Sequence, residues 1–278
     1  MICALASGVQ AQGKSKIIFD EDTAGLGGTG TRSLLVLLQA PNVDLLGVTG
    51  DARRDEEAAH SPRVLELVGR TDITVVPGVA FPLFRTKEWT LEREKHYGSV
   101  RYLGARSQRP NNHRPFEVPT LREGNPTINA TNEDSAQFLV RTVKAHPHQV
   151  TLYARGPLRN IALAISLDPQ IAEITNGIVI KGTSIPPRTD SPEFATDPRD
   201  EVNVWFDPEA THIVLRAHWP SVQITTTGVS LETQFTQEMV DQLLKFSRRW
   251  RNTLPSMLIR DAARCGMNWP QHHGSIQA

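Results

Sequence analysis

Short apolar runs alternate with longer segments of helical period along most of the chain. KIIF (16–19), VDLLGVT (43–49) and DITVV (72–76) read as strands, with TRSLLVLLQA (31–40) and DEEAAHSPRVLELVG (55–69) as the helices between them. The second helix is expected to be interrupted or started at Pro62. Residues 80–130 break the rhythm: Pro, Arg, Asn and Gly are frequent and no period is sustained, which predicts a long loop or lid insert. Regular structure resumes with SAQFLVRTVKA (135–145), started by a capping-box-like pair, Thr131 and Asp134. QVTLYA (149–154), GIVIKG (177–182) and VQITTT (222–227) are further strands. LRNIALAISL (158–167), opened by Gly156-Pro157, and EATHIVLRA (209–217), capped by Asp207-Pro208, are helices. Met239, Leu243, Phe246 and Trp250 recur at helical spacing and read as a buried face. The order predicts an α/β fold: a mainly parallel central sheet in a single domain, flanked by helices on both faces.

Composition narrows the function classes. The 278 residues are 39% hydrophobic and 22% charged, with 30 basic and 30 acidic side chains, so no charge excess points to nucleic acid or an anionic membrane. Two cysteines, Cys3 and Cys265, are too few for a disulfide framework or a thiolate zinc site. No apolar run approaches the roughly 20 residues of a membrane span. Residues 1–14 look like a leader or the tail of a signal peptide, with Val9-Gln10-Ala11 as candidate cleavage site and no basic start. The expectation is a cytoplasmic protein, or an exported one if that tail is real, with the folded domain over 15–278.

The densest chemistry follows the first strand. Asp20 and Asp22 flank Glu21 where the strand should end, and ligands of open α/β sheets bind beyond the carboxyl ends of strands. Hard carboxylate oxygens suit Ca²⁺ or Mg²⁺. From spacing alone, a solvated acidic turn capping the next helix is the more ordinary reading. Gly25, Gly27 and Gly30 also match G-x-G-x-x-G, with Asp51 near the position of a ribose-binding acid, so a dinucleotide-binding oxidoreductase is an alternative. Against it, three acidic residues stand between strand and glycines and would repel a pyrophosphate.

DEDTAG after the first strand, VTLYARGPLRNIALAISLDP and EVNVWFDPEATHIVL resemble, in that order, the inosine-uridine preferring nucleoside hydrolase family. The resemblance implies an N-glycosyl hydrolase that acts on a small nucleoside or ribosyl substrate through metal-activated water, with Ca²⁺ as cofactor. It implies Asp22 as catalytic residue and metal ligand, Asp20 as a supporting or ligating carboxylate, and the backbone carbonyl of Arg155 as a further ligand. Asp51, Glu201 and Asn203 would contact the ribose, and Asn160 would be structural. It also suggests a homo-oligomer. Further family aspartates fall here on Leu26-Gly27-Gly28-Thr29, and Trp269 is followed by Pro270 where another metal-binding Asp is expected. A catalytically impaired ribosyl-binding protein is therefore the competing reading. His60 and His212 read as packing or surface residues. His272 and His273 read as solvent-exposed, and Cys265 lacks a partner that would activate it.

Overall fold

The computed structural model describes residues 13–22, 28–50, 54–85, 87–98, 118, 120–121, 123–183 and 201–226, with 229, 238 and 242 as isolated positions. Among these residues six strands form one sheet: β1 (Ser15–Glu21), β2 (Val43–Gly50), β3 (Val75–Val76), β4 (Val150–Ala154), β5 (Gly177–Lys181) and β6 (Val222–Thr225). Their spatial order is β3-β2-β1-β4-β5-β6, and every pairing is parallel. The direction of winding reverses between β1 and β4, and at such a switch point the loops above the strand ends part and leave a crevice.

Helices cover both faces, as parallel strands require. Ile18 and Phe19 are adjacent and fully buried, and they serve opposite faces because side chains alternate along a strand. Phe19 joins Val48 and Val75 beneath α1 (Thr29–Gln39) and α2 (Arg54–Val68), through Leu34, Val64 and Leu65. Ile18 joins Leu152 and Ile178 beneath α4 (Ser135–Ala145), α5 (Arg159–Leu167) and α7 (Pro208–Arg216), through Leu139, Ile161 and Val214. This two-layer core fixes the height of the strand ends from which the site is built.

Three expectations change. Helix α2 runs unbroken through Pro62. The proline costs one backbone bond, but His60, Ser61, Val64 and Leu65 around it are all buried, so packing holds the two halves in line. Helix α4 starts at Asp134, whose side chain accepts from the Ala136 N–H; Thr131 instead donates its N–H to the Val75 carbonyl at 2.9 Å. Within the expected loop lies a helix, α3 (Lys87–Tyr97). It has no apolar stripe, so periodicity is silent. Its support is helix-favouring composition, with Glu88 in the first turn and Lys95 and His96 in the last, as the helix dipole prefers.

The other part of that segment is strapped to α2. Glu66 Oε1 accepts from the Thr127 N–H at 2.5 Å, the Thr127 hydroxyl at 2.6 Å and the Ile128 N–H at 2.7 Å. Arg63 donates to Glu66 and to the Glu123 carbonyl, both at 3.0 Å. The imidazole Nδ1 of His60 lies 2.6 Å from Glu123 Oε1, so His60 is a buried, paired residue, whereas His212 on α7 is exposed.

Candidate active site at the strand ends

Strand β1 carries its acidic end into the crevice beside β4. Asp20 is buried and pairs in register with Thr49 of β2 and Ala154 of β4. Its Oδ1 accepts from the Thr49 hydroxyl and from Asn160 Nδ2, the latter at 2.7 Å. Its Oδ2 is buried with no hydrogen-bond partner. Burial pushes the Asp20 carboxyl up to about 6; the Asn160 and Thr49 bonds and the Arg159 charge pull the other way, while Asp22 adds to the rise.

Asn160, in the first turn of α5, is fully buried and uses both ends of its amide. Nδ2 also donates to the Gly50 carbonyl at 2.7 Å, and Oδ1 accepts from the Val79 N–H and the Ser135 hydroxyl, both at 2.9 Å. One side chain thus ties together the ends of β1 and β2, the turn after β3 and the start of α4. Gly78 is needed for this: a Cβ there would lie 1.4 Å from the Gly50 carbonyl oxygen and 2.7 Å from Asn160 Nδ2.

Glu21 points the other way and is fully buried. Ser61 donates to its Oε1 at 3.5 Å. A Cβ at Gly30 would sit 1.8 Å from Glu21 Oε2, so a carboxylate occupies the first turn of α1. A pyrophosphate bound at that helix start would collide with this carboxyl group, which argues against the dinucleotide reading. Gly25, Gly27 and Asp51, the other residues of that reading, lie outside the described residues.

Asp22 is partly buried just past β1. Burial raises its carboxyl above the usual range, and the positive charges of Arg155, Lys181 and Arg159 oppose the rise. Arg155 follows β4 and donates its N–H to the Asp20 carbonyl at 2.8 Å. Lys181 ends β5. Asn203 Nδ2 donates to the carbonyls of Arg155 at 3.0 Å and Lys181 at 3.1 Å, so one amide holds the two cationic residues side by side. Both partners are acceptors, which fixes the orientation of the amide.

Glu201 and Asn203 flank the start of α6 (Val202–Phe206). Glu201 Oε2 caps it through the Val204 N–H at 3.0 Å and also accepts from the Thr183 N–H at 3.1 Å. Thr183 has φ +62° and Gly182 has φ +147°, a backbone turn that suits glycine and strains threonine. Asp207 closes the unit: Oδ1 caps α7 at the Ala210 N–H and Oδ2 accepts from the Leu83 N–H at 2.7 Å. Arg159, fully buried, stacks over Phe206 at 4.5 Å. Arg85 lies over both Trp89 of α3 and Trp205 of α6, and donates to the Trp205 carbonyl at 2.9 Å, which docks α3 beside this end of the site.

The structure therefore gathers Asp20, Asp22, Arg155 and Asn203 at the switch point, with Glu201 next to them. Asp51, Cys265, His272 and His273 lie outside the described residues. Sequence reasoning missed Thr49, Lys181 and Arg159. Thr49 and Lys181 stand at the ends of expected strands, and that position was the available signal; nothing local marks Arg159 for burial.

The fit to Ca²⁺ is poor among the described residues. Asp22, Asp20 Oδ2 and the Arg155 carbonyl offer oxygens, but Ca²⁺ takes about 6–8 of them. Among the described residues, no three Asp, Glu, His or Cys side chains converge there. The Arg155 carbonyl already accepts from Asn203, and two cationic side chains act on Asp22.

Comparison with known proteins agrees with this architecture. The family model described as inosine-uridine preferring nucleoside hydrolase matches residues 17–273. An uncharacterized protein of Schizosaccharomyces pombe, C800.11, is 32% identical over 232 residues, 81% of this chain and 55% of that protein. A probable uridine nucleosidase 2 of Arabidopsis thaliana is 27% identical over 224 residues, 80% of this chain and 61% of that one. The chain thus spans about 55–61% of the length of these relatives. The solved structure of an inosine-guanosine nucleoside hydrolase superposes with TM-score 0.67 at 21% identity, covering 90% of this chain and 71% of that one, and so shares the fold. With the family model spanning nearly all of the sheet and its strand-end residues, the chain belongs to the inosine-uridine preferring nucleoside hydrolase family.

Proposed function

We propose that the chain hydrolyses the N-glycosidic bond of a ribonucleoside or related ribosyl compound, with Asp22 as the base that takes a proton from the attacking water. The observation that carries this reading is a carboxylate at the sheet's switch point whose proton affinity is raised by burial. A base is most effective when its pKa approaches the working pH. The water oxygen bonds to the anomeric carbon as the bond to the base nitrogen breaks. The water proton passes to Asp22, the departing base takes a proton from solvent, and Asp22 then releases its proton to solvent, so that the net change is addition of one water across the bond. The transition state carries positive charge on the sugar, which Asp22 and Asp20 favour as nearby carboxylates.

Asn203 is the proposed ribose contact through Oδ1, because its bonds in the structure run through Nδ2. Glu201 and Asp51 complete that proposed set. The segment carrying α3 is the proposed cover over the base, supported by its docking on Trp205 of α6. Ca²⁺, implied by the family resemblance, is left out of the mechanism because the described donors do not suit it. The absence of an acidic cluster among the described residues motivates a second reading, a protein that holds a ribosyl ligand without cleaving it.

Uridine is the first substrate to test, given the names of the plant relatives. Chromatography of the purified chain incubated with uridine, inosine and adenosine should show free base and ribose from at least one. Tight binding of a nucleoside with no base released would favour the second reading. Neither binding nor release would reject both.

A further inference from the structure

Helix α6 carries Asn203 but is too short to hold itself. Its five residues make little more than one turn, and a single turn is unfavourable in isolation. The Trp205 N–H closes that turn on the Glu201 carbonyl at 2.7 Å. The carbonyls at its end have no partner within the helix and must find one outside it. The start of α6 is fastened to the strand ends. Glu201 Oε2 accepts from the Val204 and Thr183 N–H groups, and Asn203 Nδ2 donates to the Arg155 and Lys181 carbonyls.

The end of α6 is fastened by the segment that leads into α3. Arg85 Nη1 donates to the Trp205 carbonyl at 2.9 Å, and two residues earlier the Leu83 N–H donates to Asp207 Oδ2 at 2.7 Å. The Arg85 guanidinium carbon lies 4.6 Å from the ring centroid of Trp89 and 5.2 Å from that of Trp205. Arg93 of α3 adds a second guanidinium over the Trp205 ring, at 5.9 Å. A planar cation stacks on an indole face and still donates in its own plane, whereas a lysine ammonium offers no flat face. The charge also stands at the last turn of the helix, where the dipole favours a cation.

We propose that Arg85 is a positioning residue for the ribose end of the site: by capping α6 at the Trp205 carbonyl it fixes the turn that sets Asn203 against the strand ends. The chain of contacts is short. Arg85 holds Trp205, the Trp205 N–H holds Glu201, and Asn203 lies between these two residues in the same turn. Arg85 itself touches no substrate. The step from Asn203 to a ribose hydroxyl rests on the hydrolase reading, but the hold of Arg85 on α6 is measured without a ligand.

The experiment is amide hydrogen exchange by mass spectrometry on the full chain, parent and Arg85→Ala, together with kcat and KM for base release from uridine and inosine. Loss of a charged hydrogen bond should speed exchange over residues 202–206 at least about 10-fold, with β1 and β4 unchanged. A ribose contact made alike before and during reaction shows in KM, so KM should rise about 10-fold while kcat stays within about threefold. Exchange over 202–206 equal to the parent's would overturn the proposal, and so would faster exchange with KM unchanged. If the parent releases no base from either nucleoside, the hydrolase reading fails, and the exchange alone decides whether Arg85 holds α6. Should Arg85→Ala not fold, Arg85→Lys takes its place: it keeps the charge but loses the fork and the flat face, so exchange over 202–206 must still quicken, and exchange equal to the parent's would overturn the proposal.

Discussion

Asn160 donates to Asp20 across 140 positions of sequence at 2.7 Å, and both groups are buried. This bond orients the carboxylate that neighbours Asp22, and the same amide holds Gly50, Val79 and Ser135. Asn160→Ala would take this partner from the Gly50 carbonyl, the Val79 N–H and the Ser135 hydroxyl, while Asp20 Oδ1 would keep its bond from Thr49. Each such group costs about 1–3 kcal/mol, so the variant should lose at least about 3 kcal/mol in urea denaturation. A loss under about 1 kcal/mol would show that the amide is not the hub described.

The raised pKa of Asp20 makes stability depend on pH. In the unfolded chain the carboxyl ionises near 3.8, and in the fold near 6, so between these values the native state holds the extra proton. Stability is then highest below about pH 4 for this group and falls as pH rises through 6. The full effect is roughly 3 kcal/mol in order of magnitude. Asp20→Asn removes the titration but keeps the acceptor for Thr49 and Asn160. The gain of Asp20→Asn over the parent chain should therefore grow from pH 4 to pH 7. A flat difference across that range contradicts the burial assigned to Asp20.

Glu66 shows the opposite sign. Burial would raise its carboxyl, but bonds from Thr127, Ile128 and Arg63 outweigh it and hold the group at about 2. Its contribution is present above the unfolded value of 4.5 and is lost as pH falls toward 2. Glu66→Ala should release the 123–128 strap from α2. Limited proteolysis near neutral pH should then cut within that strap much faster than in the parent chain, with fragments identified by mass spectrometry. Unchanged cleavage would mean that His60 and Arg63 suffice to hold it.

The sheet was legible because its strands are short apolar runs, largely buried in β1, β2, β4 and β5, while the edge strand β6 is exposed. The caps at Asp207 and Pro208 were legible because their bonds are local. What escaped was decided at a distance. Pro62 sits inside a helix because tertiary packing outweighs the missing N–H. α3 has no apolar stripe and gives no period. The bonds and contacts of Gly78, Asn160 and Lys181 reach residues 22 to 140 positions away. Glu201 and Asn203 stood out as a pair, but their bonds to strand-end backbone needed the fold to be seen.

The central claim is that Asp22 takes the proton from the attacking water. The direct measurement is kcat and KM for the best nucleoside with the parent chain and with Asp22→Asn, matched for thermal unfolding. A general base contributes about 10²–10⁴-fold, so kcat should fall by that factor while KM changes little and the folded state persists. A variant that keeps kcat within about threefold of the parent would contradict the account.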